Sequence, residues 1–253
     1  FVYSYVGKSM HQLYSASHYE YAPEGSTYTD ENGNQVDCSG MQIINAKTGY
    51  PLLTKETDSK KFEHLGSVIP DWKAGFGTTF RYKNLSLSAQ FTAQVGGVAY
   101  SVTNFALSYQ GKLKNSLAGR DDGLVLQGVN AVDNGDGTGS YQNTAVTENI
   151  YTYYQSYKWV RDNGRENTFS TDFLKFKELR IDYQLPKHLM AKTRFLQGAS
   201  IGFFATNLFC ITDWPQFDPE AAGLVNGTNI YPGIETVTFP MTRTYGINIK
   251  LQF

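Results

Sequence analysis

Three stretches of this sequence bring together side chains that could do chemistry. Asp133-Asn134-Gly135-Asp136-Gly137-Thr138 sets closely spaced carboxylates among glycines, the pattern that lets a chain wrap an oxygen-ligated cation such as calcium. The later bidentate Glu of an EF-hand is missing, and Asn-Gly and Asp-Gly are also strong hairpin signals, so a plain turn is expected. Asp30 to Asn34 (DENGN) reads the same way. The second stretch is the aromatic run Tyr151, Tyr153, Tyr154, Tyr157 and Trp159, which offers stacking faces for sugar rings or side chains. With Trp214 and Phe217, it supplies the candidate ligand contacts, Tyr154, Trp159 and Trp214 foremost. An aromatic girdle at a membrane interface or a contact with another protein accounts for these rings equally well. The third is Arg120, Asp121 and Asp122, which either pair with one another or a ligand, or are solvated loop charge.

Catalysis has less support. The histidines His11, His18, His64 and His188 are scattered, with no HExxH and no nearby Cys, so no metal role is expected. A Ser/His/Asp triad is assembled in space and leaves no local trace, but no GxSxG elbow is present. The reading is a non-enzyme with no catalytic residue, no resident metal and no cofactor. Cys38 and Cys210 sit in segments read as loops, and a pair so far apart in sequence is either bridged or free.

The elements that must position these groups are strands. From Arg243 to Phe253 the chain reads RTYGINIKLQF: Tyr245, Ile247, Ile249, Leu251 and Phe253 fall on one face, and Thr244, Gly246, Asn248, Lys250 and Gln252 on the other. An unprotected apolar strand is an aggregation liability in water, whereas in a membrane barrel it faces lipid. The same alternation recurs in Ala199 to Phe209, in Asp172 to Gln184, and in Ala74 to Tyr82 and Leu85 to Val95 around Lys83-Asn84. Glu178, Arg180, Asp182, Gln90 and Lys250 share the polar faces and would line water. Residues 1 to 6 and roughly 12 to 22 add two further strands.

Composition fits this picture. The 253 residues carry 41% hydrophobic and 15% aromatic residues, with mean hydropathy of -0.38, as expected when lipid-facing residues recur only at every second position. No run approaches ~18 apolar residues, so a transmembrane helix is excluded on length. The formal charge of -1, from 22 basic and 23 acidic residues, gives no footprint for nucleic acid. No signal peptide is visible at Phe1.

Short turns on the periplasmic side and long ones outside order the strands. With Phe253 periplasmic, 243-253 runs inward, 210-240 is an outer loop, 199-209 runs outward and 172-184 inward. The Lys83-Asn84 turn is then periplasmic, and 23-73 and 96-170 lie outside. Seven strands are too few to close in lipid, where each unpaired edge amide is costly. The expectation is about seven strands of a larger antiparallel barrel.

Ordered blocks along nearly the whole chain carry a resemblance: VGKS at 6-9, IPDWKAGF at 69-76, FRYKNLSLSAQF running into Gly96-Gly97, DFLKFKELR through YQLP at 172-186, TNLF at 206-209, DPE at 218-220, and Tyr245-Gly246 before Phe253. The chain resembles the carboxy-terminal barrel region of SusC-like TonB-dependent outer-membrane transporters of Bacteroidota. The resemblance implies an all-β, 22-stranded barrel filled by a plug and covered by a SusD-like lipoprotein. It also implies import of a glycan oligomer or a peptide, energised through TonB, with the aromatic terminal strand read as an assembly signal (Tyr245, Ile247, Ile249, Leu251, Phe253). The expected partners are the rest of the barrel and its plug, the lipoprotein, the TonB complex, outer-membrane lipid and the ligand. This sequence contains neither plug nor TonB box, so 1-253 is expected to be one part of the barrel. The alternatives are a non-transporting surface or adhesion barrel, a soluble all-β glycan-binding module and, least, an outer-membrane enzyme barrel.

Overall fold

A computed structural model describes the chain except residues 1, 5, 132–139, 191–194, 222–232 and 238. The calcium-like loop Asp133 to Thr138 lies outside the described residues. The chain divides into two compact units, Phe1–Gly66 with Tyr100–Thr168, and Ser67–Ala99 with Phe169–Phe253.

The second unit is built on five long strands: β1 (Trp72–Tyr82), β2 (Leu85–Val95), β3 (Phe173–Gln184), β4 (Gly198–Ile211) and β5 (Thr244–Gln252). They pair antiparallel in the spatial order β5-β4-β3-β2-β1, so chain neighbours are sheet neighbours throughout. Lys83 takes a left-handed φ of +51° in the β1–β2 turn, and Asn84 ties that turn to β3, its side chain donating to the Gln184 carbonyl at 2.9 Å. The turn and the 185–197 connection leave the sheet at one end, and the connections 96–172 and 212–243 leave it at the other. At that second end Gly96 and Gly97 have φ of +80° and +90°, and a Cβ on Gly97 would come within 2.8 Å of the Thr171 hydroxyl. Only glycine suits that corner.

Cross-strand register lays the apolar residues in rows. Phe80, Leu87, Ile181, Phe203 and Ile247 form one, and Tyr82, Leu85, Tyr183, Ile201 and Ile249 the next. A third row is aromatic: Phe76 stacks on Phe91 (4.9 Å), Phe91 on Phe176 (4.4 Å), and Phe176 meets Phe209 edge-on (5.6 Å). Such pairs contribute ~0.5–1.5 kcal/mol each beyond their area. The face is bare: Phe80 is 65% and Ile247 71% exposed.

The register shifts at Lys177, which stands opposite no residue of β2. One extra residue reverses the phase of alternation. Below the bulge Leu179, Ile181 and Tyr183 share the apolar face, and above it Leu174 and Phe176 do, so Lys175 turns to the polar face.

The first unit contains a mixed sheet in the order Gln35–Asp37, Thr27–Thr29, Ser140–Gln142, Val129–Ala131, Ile43–Ile44, an antiparallel pair of Ser17–Tyr19 with Leu53–Lys55, and helix α1 (Val102–Tyr109), capped by the Ser101 hydroxyl on the Asn104 amide (2.9 Å). One buried cluster joins Tyr50, Tyr153, Tyr154 and Trp159, and another joins Ala22, Cys38 and Val129.

Two expectations are corrected here. The front segments do not extend the long sheet: they form short strands, Val2–Tyr3, Gln12–Ser15 and Ser17–Tyr19, in the first unit, so the described wall has five strands and not about seven. Much of 23–73 and 96–170, read as outer loop, is a folded unit with buried cores. Their polar composition hid this, because the cores there are assembled from tyrosines and small residues and not from aliphatic runs.

Candidate functional site: the polar face of the sheet

Parity places Glu178, Arg180, Asp182, Gln90 and Lys250 together on the face opposite the apolar rows, as their alternation requires. Arg180 grips Asp182 two residues along the same strand, Nε to Oδ2 at 2.6 Å and Nη2 to Oδ1 at 3.1 Å. Across from Asp182 stands Gly202, where any Cβ would collide with the carboxylate. Gly246 on edge strand β5 likewise leaves room for the ring of its partner Phe204, an aromatic covering an edge glycine. A concave pocket of about 610 Å³ follows this face toward the short-turn end, walled by Arg81, Lys83, Arg180, Asp182 and Lys250 among others. Four cations against one carboxylate make it electropositive.

At the other end of the same face an ion cluster is buried. Lys175, only 2% exposed, meets the carboxylate of Asp218 and donates to Glu220 Oε2 at 2.8 Å; Lys177 donates to the same oxygen at 2.8 Å. Asp218 Oδ1 in turn accepts the Glu220 amide (3.0 Å), and Thr212 Oγ1 donates to the Asp172 carbonyl (2.6 Å). The 212–221 segment is thereby folded back onto β3. Burial pushes the Glu220 carboxyl up, but the bonds from Lys175 and Lys177 outweigh it and hold the group below its ordinary range. Sequence reading found the Asp218-Pro219-Glu220 block and missed its partners, since the bulge that turns Lys175 inward shows only as a change of phase between Phe176 and Leu179.

The aromatic candidates take other positions. Trp159 is 2% exposed and stacks on Tyr154 at 4.6 Å, inside the first unit's core. Tyr154 is buried beside it, with its hydroxyl donating to the Ala118 carbonyl (2.9 Å). Trp214 is buried against Phe169, ring edge to face at 6.1 Å. Of the run, Tyr151 is the exposed member at 65%. Arg120 pairs with neither Asp121 nor Asp122: it donates from Nε to the Ser116 carbonyl and from Nη2 to the Gly111 carbonyl and the Ser116 hydroxyl, each at 2.8 Å.

Asp30 is a turn residue. Its Oδ1 accepts the amides of Asn32 (2.9 Å) and Asn34 (2.8 Å), which lowers its pKa and leaves the loop closed on itself. Cys38 and Cys210 are both free thiols; Cys210 lies within β4, not in a loop. His64 donates from Nε2 to Gln12 Oε1 (2.7 Å) and leans on Tyr14. Among the described residues no three His, Cys, Asp or Glu converge on a metal position. The terminal residues Tyr245, Ile247, Ile249 and Leu251 lie on the apolar face of β5, and Phe253 stacks on Phe195 at 6.3 Å.

Comparison with known proteins supports this geometry. No protein-family model matches the chain. TonB-dependent receptor P3 of Formosa agariphila is 28% identical over 195 residues, which are 75% of this chain and 17% of that protein. Among solved structures, the RagAB peptide importer in its closed-closed state aligns with all of this chain and 25% of its own, at a TM-score of 0.54 and 18% identity. Its open-open state aligns with 97% of this chain and 27% of its own, at a TM-score of 0.52 and 18% identity. The chain therefore spans about a sixth of that receptor's length and about a quarter of the importer's. At these identities the likeness shows the fold, which is that of a segment of the importer structures.

Proposed function

We propose that this chain is a section of the barrel wall of an outer-membrane importer that takes up a nutrient, a glycan oligomer or a peptide, at the expense of energy delivered through TonB. The observation that carries the proposal is the two-faced sheet: bare apolar rows on one side, ion pairs and an electropositive pocket on the other, and every long connection at one end. In lipid the unpaired edges of β1 and β5 require neighbouring strands, which the rest of the barrel provides. A wall of this kind does no covalent chemistry. Its polar groups line water and hold whatever fills the lumen by hydrogen bonds. The similarity to a TonB-dependent receptor supports the import reading, and the resemblance to SusC-like proteins supports a SusD-like lipoprotein as the partner at the long-loop side.

The test uses the full-length protein in its own membrane. It fractionates with the outer membrane and is released only by detergent, its deletion abolishes uptake of labelled peptide or glycan oligomers, and loss of TonB gives the same defect. A protein that is soluble without detergent overturns the membrane reading. A membrane-embedded protein whose deletion leaves all uptake intact overturns import and leaves a display barrel.

A further inference from the structure

In the first unit, a pocket of about 420 Å³ lies between the end of α1, the 111–120 loop and the turn at Ile150 to Gln155. Its wall contains a guanidinium held by its surroundings. Arg120 is fixed through Nε and Nη2 by three acceptors, the Gly111 and Ser116 carbonyls and the Ser116 hydroxyl. Gly111 sits at φ of +68°, and a Cβ there would come to 3.0 Å from Nη2, so its glycine leaves the guanidinium its place. The remaining terminal nitrogen, Nη1, has no hydrogen-bond partner among the described residues. The neighbouring carboxylates Asp121 and Asp122 are exposed and do not line the pocket. Two exposed tyrosines border it, Tyr109 and Tyr151, and Ser108 in its wall has a buried hydroxyl with no hydrogen-bond partner among the described residues.

We propose that this pocket binds a carboxylate on the imported oligomer, with Arg120 Nη1 donating to a carboxylate oxygen and the Tyr109 and Tyr151 rings covering the adjoining residue or sugar ring. A pinned guanidinium loses little side-chain entropy on binding, and a bond between charged partners is stronger than one between neutral partners. The proposal rests on the importer reading and names the chemistry of its cargo: a peptide carboxylate or a uronic acid presents the same group.

The test is calorimetric titration of the detergent-purified full-length protein with trialanine and its amide, and with trigalacturonate and its methyl ester. The carboxylate form is expected to bind about tenfold more tightly than its neutral counterpart in at least one pair, the size of one charge-assisted hydrogen bond. Preference confined to trialanine assigns a peptide cargo, and preference confined to trigalacturonate an acidic glycan. Arg120→Gln abolishes the preference. Because that change also releases the 111–120 loop, Tyr151→Ala serves as the second variant: its side chain is exposed, and it weakens binding of the acid at unchanged thermal stability. Equal binding of acid and neutral forms, binding of neither pair, or wild-type affinity in both variants overturns the site. Intact uptake in cells alongside any of these results leaves the importer reading standing, whereas absent uptake removes that reading too.

Discussion

Lys175 is the residue on which the polar face depends most. A lysine so fully buried is tolerated because Asp218 and Glu220 neutralise it, and removing it leaves those carboxylates without their cation. Lys175→Ala is therefore expected to cost about 3–5 kcal/mol, read as a lowered thermal midpoint of the full-length protein in detergent. Lys177→Ala, on a half-exposed partner, should cost under about 1 kcal/mol. Glu220 adds a pH dependence. Its folded pKa is depressed, so its contribution is present above the ordinary glutamate value of about 4.3 and is lost as pH falls through the lower folded value. Acidification through that window should lower the midpoint of the wild type more than that of Glu220→Gln; equal losses would show that the lysine bonds do not set this titration.

At the scale of elements, the bulge at Lys177 takes up the one extra residue of β3. Deleting Lys177 would remove the extra residue and leave Phe176 opposite Phe91 and Glu178 opposite Gln90, so both halves of β3 keep their faces and the contact of Lys177 with Glu220 is lost. Phe176→Lys instead puts charge on the apolar face, at ~2–4 kcal/mol toward the middle of a bilayer, and breaks the aromatic row through Phe91, Phe176 and Phe209. The substitution should sharply reduce recovery of protein from the outer-membrane fraction, and the deletion should not. Strand β5 offers a paired comparison. Ile247→Lys places charge on the apolar face and should reduce membrane yield, whereas Asn248→Lys, one residue on and facing the other way, should be tolerated. Equal yields for the two variants would contradict the facing assigned here.

For the whole molecule, two folded units with different solvents follow from one chain. The wall unit exposes its apolar rows, which suits lipid, and the first unit buries tyrosine and tryptophan in cores of its own, which suits water. Removing Phe253 or replacing it with Asp is expected to reduce assembly into the membrane without changing the fold of the first unit. Outer-membrane yield measures the first effect and limited proteolysis the second. Normal insertion of Phe253→Asp would falsify the role of the terminal aromatic as an assembly signal.

How much of this was legible depends on the range of the interactions. The alternation in β1, β2, β4 and β5, the Lys83-Asn84 turn and the two faces of the wall follow from residues next to one another in sequence, because side-chain direction in a strand repeats every two residues. The sequence alone therefore determined the strand-built wall, its faces and its asymmetric ends. What required the tertiary structure was every feature set by contacts across distance. The pairing of Lys175 with Asp218 and Glu220 spans more than forty residues. The burial of Trp159 and Trp214 depends on what packs over them, which an aromatic run does not disclose. The first unit is assembled from segments on either side of β1 and β2, and no local pattern distinguishes such a unit from a pair of long loops, since its cores form only when those segments meet.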